Sequence, residues 1–301
     1  MQTLLIFIIA ATLVYLLLYF FVPKKTNLYE ILRIPPFLLR SLVTERNNMI
    51  VEKHKYGRHR RQYFLFCQPK SRDSSKKHVI VYYHGGGWRS GSPELLRSNA
   101  QFFVDLGYCV FMPSCRRTPF NSYREIREDL SQSLKLIVEL MKIHGLQEKK
   151  IILGGMSSGG NLVALILYDR SRLSDLGFNQ EIFGGIMLFG APLDLNAMKD
   201  TFILRDFAGR RDRSTFQLAN PFYHLQEGEQ IPALCIHGTH DGLVPFSNAV
   251  SFAEKLRDIN GDVLTFIPVE NASHMDTASW AIENNEIRKM ICNWLDEREG
   301  K

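Results

Sequence analysis

Gly155-Met156-Ser157-Ser158-Gly159 reads as G-x-S-x-G, and its flanks decide its meaning. Before it runs Lys149-Lys150-Ile151-Ile152-Leu153-Gly154, with the apolar, β-branched character of a short buried strand. After it comes Asn161-Leu162-Val163-Ala164-Leu165-Ile166-Leu167, the opening of an apolar helix. A serine between strand and helix sits on a sharp, strained turn that exposes its Oγ. Glycines flanking it suit such a turn, because side chains there would collide. Taken alone, the pentapeptide is equally well explained as an ordinary Gly/Ser loop. The strand–turn–helix setting favours an elbow that carries a nucleophile.

A second motif strengthens this. Val79-Ile80-Val81-Tyr82-Tyr83 is a β-favouring run that leads straight into His84-Gly85-Gly86-Gly87-Trp88. Backbone free of side chains can turn its N–H groups inward, toward a developing oxyanion. Gly86, Gly87 and Ser158, the residue after the nucleophile, are the expected donors. The competing reading is a phosphate-binding loop. No G-x-x-x-x-G-K-[ST] occurs, and no G-x-G-x-x-G opens a helix here. Trp88 is a candidate substrate contact.

The acid and base should follow the serine, acid first. Leu234-Cys235-Ile236-His237-Gly238-Thr239-His240-Asp241 is a strand ending in a turn that carries Asp241. Val263-Leu264-Thr265-Phe266-Ile267-Pro268 is another strand, and the loop after it holds His274. Ligands of an open parallel sheet bind outside the carboxyl ends of its strands. Ser157, Asp241 and His274 each fall just past such an end, so distant residues can meet at one edge. His237 and His240 compete as base; the first is expected to pack and the second to point away from Asp241. Asp276 is the alternative acid.

Together, H-G-G-G-W, G-M-S-S-G-G and H-G-T-H-D-G-L-V-P resemble the α/β-hydrolase superfamily. Within it they are similar to the HGGG-type carboxylesterase and lipase group, which includes hormone-sensitive-lipase-like enzymes, feruloyl and acetyl-xylan esterases, and kynurenine formamidases. The resemblance runs over residues 75–295. It implies an α/β fold, a mostly parallel sheet flanked by helices. Ser157, Asp241 and His274 match the family's nucleophile, acid and base; Gly86, Gly87 and Ser158 match its oxyanion donors. Arg116-Arg117-Thr118-Pro119 resembles its R-x-x-P turn. Cys115 stands where a Tyr is usual, and Met156 and Ser158 replace the usual acidic and small residues beside the nucleophile. The resemblance implies a serine hydrolase that cleaves carboxylic esters through an acyl-enzyme, with no metal and no organic cofactor. Trp88 and the aromatics of residues 191–230 suggest a largely apolar small-molecule or lipid ester. An amidase, aryl formamidase or peptidase on the same machinery is the alternative. A non-catalytic binding protein is a third class, disfavoured because all three triad candidates are kept.

The chain has 301 residues, 45% hydrophobic and 23% charged, with a formal charge of +6. That is ordinary globular composition, long enough for one α/β domain. The basic residues are dispersed, apart from Arg58-His59-Arg60-Arg61 and Arg210-Arg211-Asp212-Arg213, and no nucleic-acid module is visible. The five cysteines form no C-x-x-C pattern and read as free thiols.

Residues 1–23 are different material. They carry no charge, and Leu4–Val22 is almost wholly apolar, long enough to cross a bilayer. A cleaved signal peptide would need a basic start, a shorter core and small residues at its end. Phe20, Phe21 and Val22 stand there instead. A retained single-pass transmembrane helix is therefore expected. Lys24, Lys25, Arg33 and Arg40 follow it, placing the catalytic domain on the cytoplasmic side by the positive-inside rule. A glycan on the sequon Asn271-Ala272-Ser273 would crowd His274, a weaker argument for the same side.

Residues 24–49 form a Pro-broken apolar segment, read as juxtamembrane or cap, with packing on the domain equally open. Residues 50–301 are the hydrolase domain, opened by a hairpin around Lys55-Tyr56-Gly57. Residues 191–230 are a long insertion at the functional edge, expected to be a lid. A helix is expected over Ser122–His144. Trp280, Ile287, Met290, Ile291 and Trp294 recur at helical spacing and predict a core-facing last helix.

Overall fold

In the computed structural model, residues 2–44, 48–71 and 76–300 are described. Met1 of the expected anchor and residues 45–47 of the segment behind it lie outside them. Eight strands form one sheet: β1 Met49–Lys55, β2 Tyr63–Pro69, β3 His78–Tyr83, β4 Val110–Ser114, β5 Lys150–Met156, β6 Phe183–Phe189, β7 Ala233–Gly238 and β8 Leu264–Val269. Their order is β1-β2-β4-β3-β5-β6-β7-β8. β1 and β2 form the expected antiparallel hairpin, with Met49 opposite Pro69 and Lys55 opposite Tyr63. β2 is antiparallel to β4, and every later pairing is parallel.

Among the described residues, ten α-helices accompany the sheet: α1 Gln2–Phe21, α2 Asn27–Val43, α3 Arg97–Asp105, α4 Tyr123–Ile143, α5 Ser158–Tyr168, α6 Arg170–Asp175, α7 Phe202–Ala208, α8 Ser214–Ala219, α9 Phe246–Asn260 and α10 Glu286–Glu299. The central strands are buried on both faces, so they read as continuous apolar runs. Along β3, Val79, Val81 and Tyr83 enter one core with side chains of α4, α5 and α9. Ile80 and Tyr82 enter the other with α3 and α10. The period of two sends alternate residues to opposite faces. This is the α/β-hydrolase fold, with the mostly parallel sheet and flanking helices that the resemblance implies.

α4 lies where expected and begins with a capping box: the Ser122 hydroxyl and backbone face Glu125. Near the end of the chain the structure corrects one detail. Ile287, Ile291 and Trp294 are on α10, but Trp280 is not. It belongs to the preceding 3-10 turn Asp276–Ala281 and is fully buried between Phe102, Phe103 and Phe189. Spacing alone could not reveal the break at Glu283-Asn284-Asn285, where Asn285 caps a new helix through Arg288 N–H.

α2 is also a correction in detail. Pro35 and Pro36 lie inside one continuous helix rather than breaking it. A proline at position 36 removes the N–H that would bond the Leu32 carbonyl. That carbonyl instead accepts from Tyr15 Oη of α1, at 2.6 Å. Arg33 adds a bond to Tyr19 O at 3.4 Å and stacks over the Tyr19 and Tyr29 rings. Helix pairing thus satisfies the carbonyl that Pro36 leaves open. α2 packs on the domain with Tyr29, Glu30, Leu32 and Ser41 buried. α1 is the opposite: residues 3–21 are apolar, exposed and long enough to cross a membrane.

The insertion at 191–230 is structured. It holds α7, α8 and two 3-10 turns. Leu204, Phe207 and Phe216 are buried, while Phe202 is exposed. All five cysteines are free; Cys67, Cys109 and Cys235 are buried, and Cys115 and Cys292 partly so.

Candidate active site

Ser157 lies between β5 and α5 with φ 54° and ψ −127°. For a residue with a Cβ this backbone is strained, and only over-determined surroundings hold it there. The Ser157 N–H is bonded to Phe189 O at 2.8 Å, and its carbonyl accepts from Gly160 N–H at 2.9 Å. A Cβ at Gly155 would come within 2.4 Å of the Gly159 backbone; one at Gly159 would come within 2.2 Å of Tyr83 O. The two outer glycines of the motif are thus required by the close crossing of strand, turn and helix.

The glycine loop is pressed against this elbow. A Cβ at Gly85 would sit 3.2 Å from Ser157 Cβ. Gly86 and Gly87 have φ of 135° and 59°, open to glycine and disfavoured for other residues. Among the described residues, the N–H groups of Gly86, Gly87 and Ser158 have no acceptor within the protein. N–H groups left without an acceptor beside a strained serine are free to receive an anion. Burial pushes the His84 imidazole down to about 4, so it is neutral at ordinary pH. It donates from Nδ1 to Gly85 O at 2.7 Å, which fixes the carbonyl and so the direction of the loop.

The R-x-x-P turn supports that loop from behind. Arg116 is held to the buried Asp129 of α4 at 2.7 Å, and Asp129 also accepts from Gln62 and from the Arg116 N–H. Two residues on, Thr118 N–H donates to Trp88 O at 3.1 Å. Trp88 itself is in the core. Its ring stacks on Phe207 of α7 at 4.2 Å between centroids, and Nε1 donates to Asn161 Oδ1 at 3.3 Å. This packing seats the insertion on Trp88.

His274 and Asp241 meet. His274 Nδ1 is 2.6 Å from Asp241 Oδ2, and both side chains are buried. The other carboxylate oxygen, Oδ1, accepts from the N–H of Leu243 at 2.8 Å and of Val244 at 2.7 Å. Burial alone would push the Asp241 carboxyl up; His274 beside it outweighs that and holds it below the usual range. Burial alone would pull His274 down; the Asp241 carboxylate outweighs that and raises it above the ordinary histidine value. The pair reaches the serine's end of the sheet through β6. Phe189, which accepts the Ser157 N–H, is followed by Gly190, where a Cβ would lie 3.1 Å from His274 Nδ1.

The competing residues are placed elsewhere. His237 is fully buried, with Nε2 on Val244 O at 3.0 Å and 3.4 Å from Asp241 Oδ2, so it packs beneath the acid. His240 faces Thr239 Oγ1. Asp276 accepts the Ser273 N–H at 2.8 Å and pairs with Lys24 at 3.3 Å. It is a turn cap, half exposed. Among the described residues, no cluster of His, Cys, Asp and Glu could hold a metal ion.

Residues 66–256, more than half of the chain, match the BD-FAE family model. The chain belongs to the BD-FAE family. The match spans the glycine loop, the elbow and the Asp241 turn, and stops short of His274. No curated protein sequence matches the chain. Solved structures with the same fold include esterase B of Lactobacillus rhamnosis, at 18% identity and TM-score 0.72 over 90% of this chain and 94% of that one. A truncated carbohydrate esterase from gut microbiota aligns at 16% identity and TM-score 0.72, covering 86% and 99%. Thermogutta terrifontis esterase 2 aligns at 21% identity and TM-score 0.63, covering 82% and 90%. For this BD-FAE member they bear out the fold expected from the motifs.

One buried group at these turns belongs to no motif. Glu30 of α2 is fully buried and bonds the backbone of both the Asp241 and His274 turns. The only sequence signal was a lone acid in an apolar, proline-containing stretch.

Proposed function

We propose that this protein is a serine carboxylesterase, anchored in a membrane by α1, that cleaves carboxylic esters with a largely apolar portion. The observation that carries the proposal is the buried Asp241–His274 pair, 2.6 Å apart, at the sheet edge where Ser157 occupies a strained elbow. Support also comes from the BD-FAE match and from structural neighbours that are themselves described as esterases.

In this mechanism His274 takes the proton of Ser157 Oγ as it attacks the ester carbonyl. Asp241 fixes the imidazole with its proton on Nδ1 and stabilises the imidazolium. The N–H groups of Gly86, Gly87 and Ser158 stabilise the oxyanion without having to reorganise. His274 then protonates the departing alcohol, and water repeats the sequence on the acyl-enzyme. The insertion with α7 and α8, seated on Trp88 and carrying the exposed Phe202, is the proposed lid over the acyl or alcohol site. Trapping Ser157 with a fluorophosphonate and mapping the adduct tests the proposal. Turnover of esters of graded chain length, set against a matched amide, then tests the substrate class.

Two results are expected. The working base is neutral His274, and its pKa is raised by Asp241. Activity is therefore lost as pH falls through a value above the ordinary histidine pKa of roughly 6.5. A kcat/KM profile flat to well below that value would show that the base is another group. Deleting residues 1–23 should release the protein from membranes while Ser157 still reacts with a fluorophosphonate, because no member of the proposed triad or oxyanion loop lies there. Alkaline carbonate should fail to extract the full-length chain. If carbonate extracts it, or if its mature N-terminus begins after Val22, α1 is a signal sequence and not an anchor. Retention of α1 places the catalytic domain on the cytoplasmic side in this proposal, since Lys24, Lys25, Arg33 and Arg40 flank the span.

A further inference from the structure

The mechanism uses one buried carboxylate, Asp241, and leaves another without a role. Glu30, in the first turn of α2, has no exposed surface. Among the described residues no Lys, Arg or His forms a salt bridge with it. Its Oε1 accepts from Gly242 N–H at 3.0 Å and from His274 N–H at 2.8 Å; its Oε2 accepts from Met275 N–H at 3.2 Å. One side chain therefore joins the turn that carries the acid to the turn that carries the base. These turns are 33 residues apart in sequence, and each follows a different strand.

The approach is close. A Cβ on Gly242 would lie 2.5 Å from Thr26 O and 3.0 Å from Glu30 Cγ, so glycine is what lets α2 come down on the acid turn. Thr26 caps α2 by accepting the Tyr29 N–H at 3.2 Å, which fixes the turn that presents Glu30. Lys24 reaches the same base loop, donating to Asn271 O at 2.9 Å. Hydrogen bonds to an ionised acceptor are stronger than neutral ones, and stranding the buried N–H groups would cost their desolvation.

We propose that Glu30 is a positioning residue for the acid–base pair, holding the Asp241 and His274 turns in register from the helix directly behind the anchor. The proposal rests on the triad assignment above. It makes α2 part of the catalytic centre, although α2 supplies no group to the reaction. A displacement of reacting groups by about 1 Å costs on the order of 10²-fold in rate, so a clamp on both turns acts on kcat. The Glu30 charge also favours the imidazolium form of His274. The other ionisable groups facing that imidazole are Asp241, bonded to it, and His237 behind Asp241; Lys24 and Asp276 pair outside at the surface.

The test uses full-length protein in detergent or bilayer discs, with a p-nitrophenyl ester and a fluorophosphonate as probes. Glu30→Gln should lower kcat by roughly 10- to 100-fold and leave KM within about twofold. Losing the anion removes support for the imidazolium, so the acidic limb of kcat/KM should move to lower pH. Glu30→Asp keeps the charge but is shorter; kcat should fall while the limb stays in place. Ser41→Ala is the control for α2 docking, because Ser41 Oγ bonds Leu95 O and Ser98 Oγ, away from both turns. It should lower thermal stability without moving the limb. Wild-type kcat and an unmoved limb in Glu30→Gln would overturn the proposal. So would a loss of activity matched by Ser41→Ala at equal stability loss. If Glu30→Gln does not fold, wild-type kcat in Glu30→Asp overturns it. Absence of a fluorophosphonate adduct on Ser157 of the wild type would instead remove the triad assignment. An adduct formed at equal rates in wild type and Glu30→Gln would remove the Glu30 proposal alone.

Discussion

Replacing Ser157 with alanine is expected to lower ester hydrolysis by on the order of 10⁶-fold, because residues that act as a catalytic unit fail together. The fold should survive. The elbow is held by the backbone bond from Ser157 N–H to Phe189 O and by the close packing of Gly155 on Gly159, neither of which uses the hydroxyl. Alanine also tolerates the φ of 54° no worse than serine does. The measurement is steady-state hydrolysis of a p-nitrophenyl ester, with far-ultraviolet circular dichroism to show that the variant is folded. Turnover within about a hundredfold of wild type would mean that another residue is the nucleophile.

Asp241→Asn should lower kcat by about 10⁴-fold through the wrong imidazole tautomer. The local bonding explains why. Oδ1 of Asp241 accepts two backbone N–H groups, from Leu243 and Val244, and an asparagine would keep its oxygen there. Its amide NH₂ would then face His274 Nδ1, where a donor meets a donor unless the imidazole gives up the proton it needs on that nitrogen. Asp276→Asn should have little effect on kcat, because Asp276 caps the Ser273 turn and pairs with Lys24 at a half-exposed position. Comparing kcat for the two variants decides the acid. A large loss in Asp276→Asn with a small one in Asp241→Asn would reverse the assignment.

The site is most legible in the sequence where its chemistry is local. The elbow needs glycines on either side of Ser157 and a strand before it, and all of these lie within a few residues. The HGGG loop is equally compact. Asp241 and His274 follow from a longer rule, that groups past the carboxyl ends of parallel strands share one edge, and the structure brings those two side chains into contact. Trp88 shows where such rules stop. Its neighbour Phe207 comes from a segment more than a hundred residues later, which no motif records.

By itself the sequence determined the sheet-and-helix alternation, the glycine loop after β3, the strand–turn–helix elbow at Ser157 and the apolar first helix, because hydrophobic period, glycine placement and turn chemistry are properties of neighbouring residues. Only the tertiary structure decided the rest. α2 runs unbroken through Pro35 and Pro36 because Tyr15 of another helix takes up the Leu32 carbonyl. Trp280 leaves the last helix because Asn285 starts a new one and the aromatic cluster around Phe102 and Phe189 holds the ring. Glu30 joins the Asp241 and His274 turns because the fold brings it against a glycine more than two hundred residues later that leaves room for it. A buried carboxylate is stable only where several N–H groups converge on it, and here they come from two separate turns, which no local pattern in the sequence records.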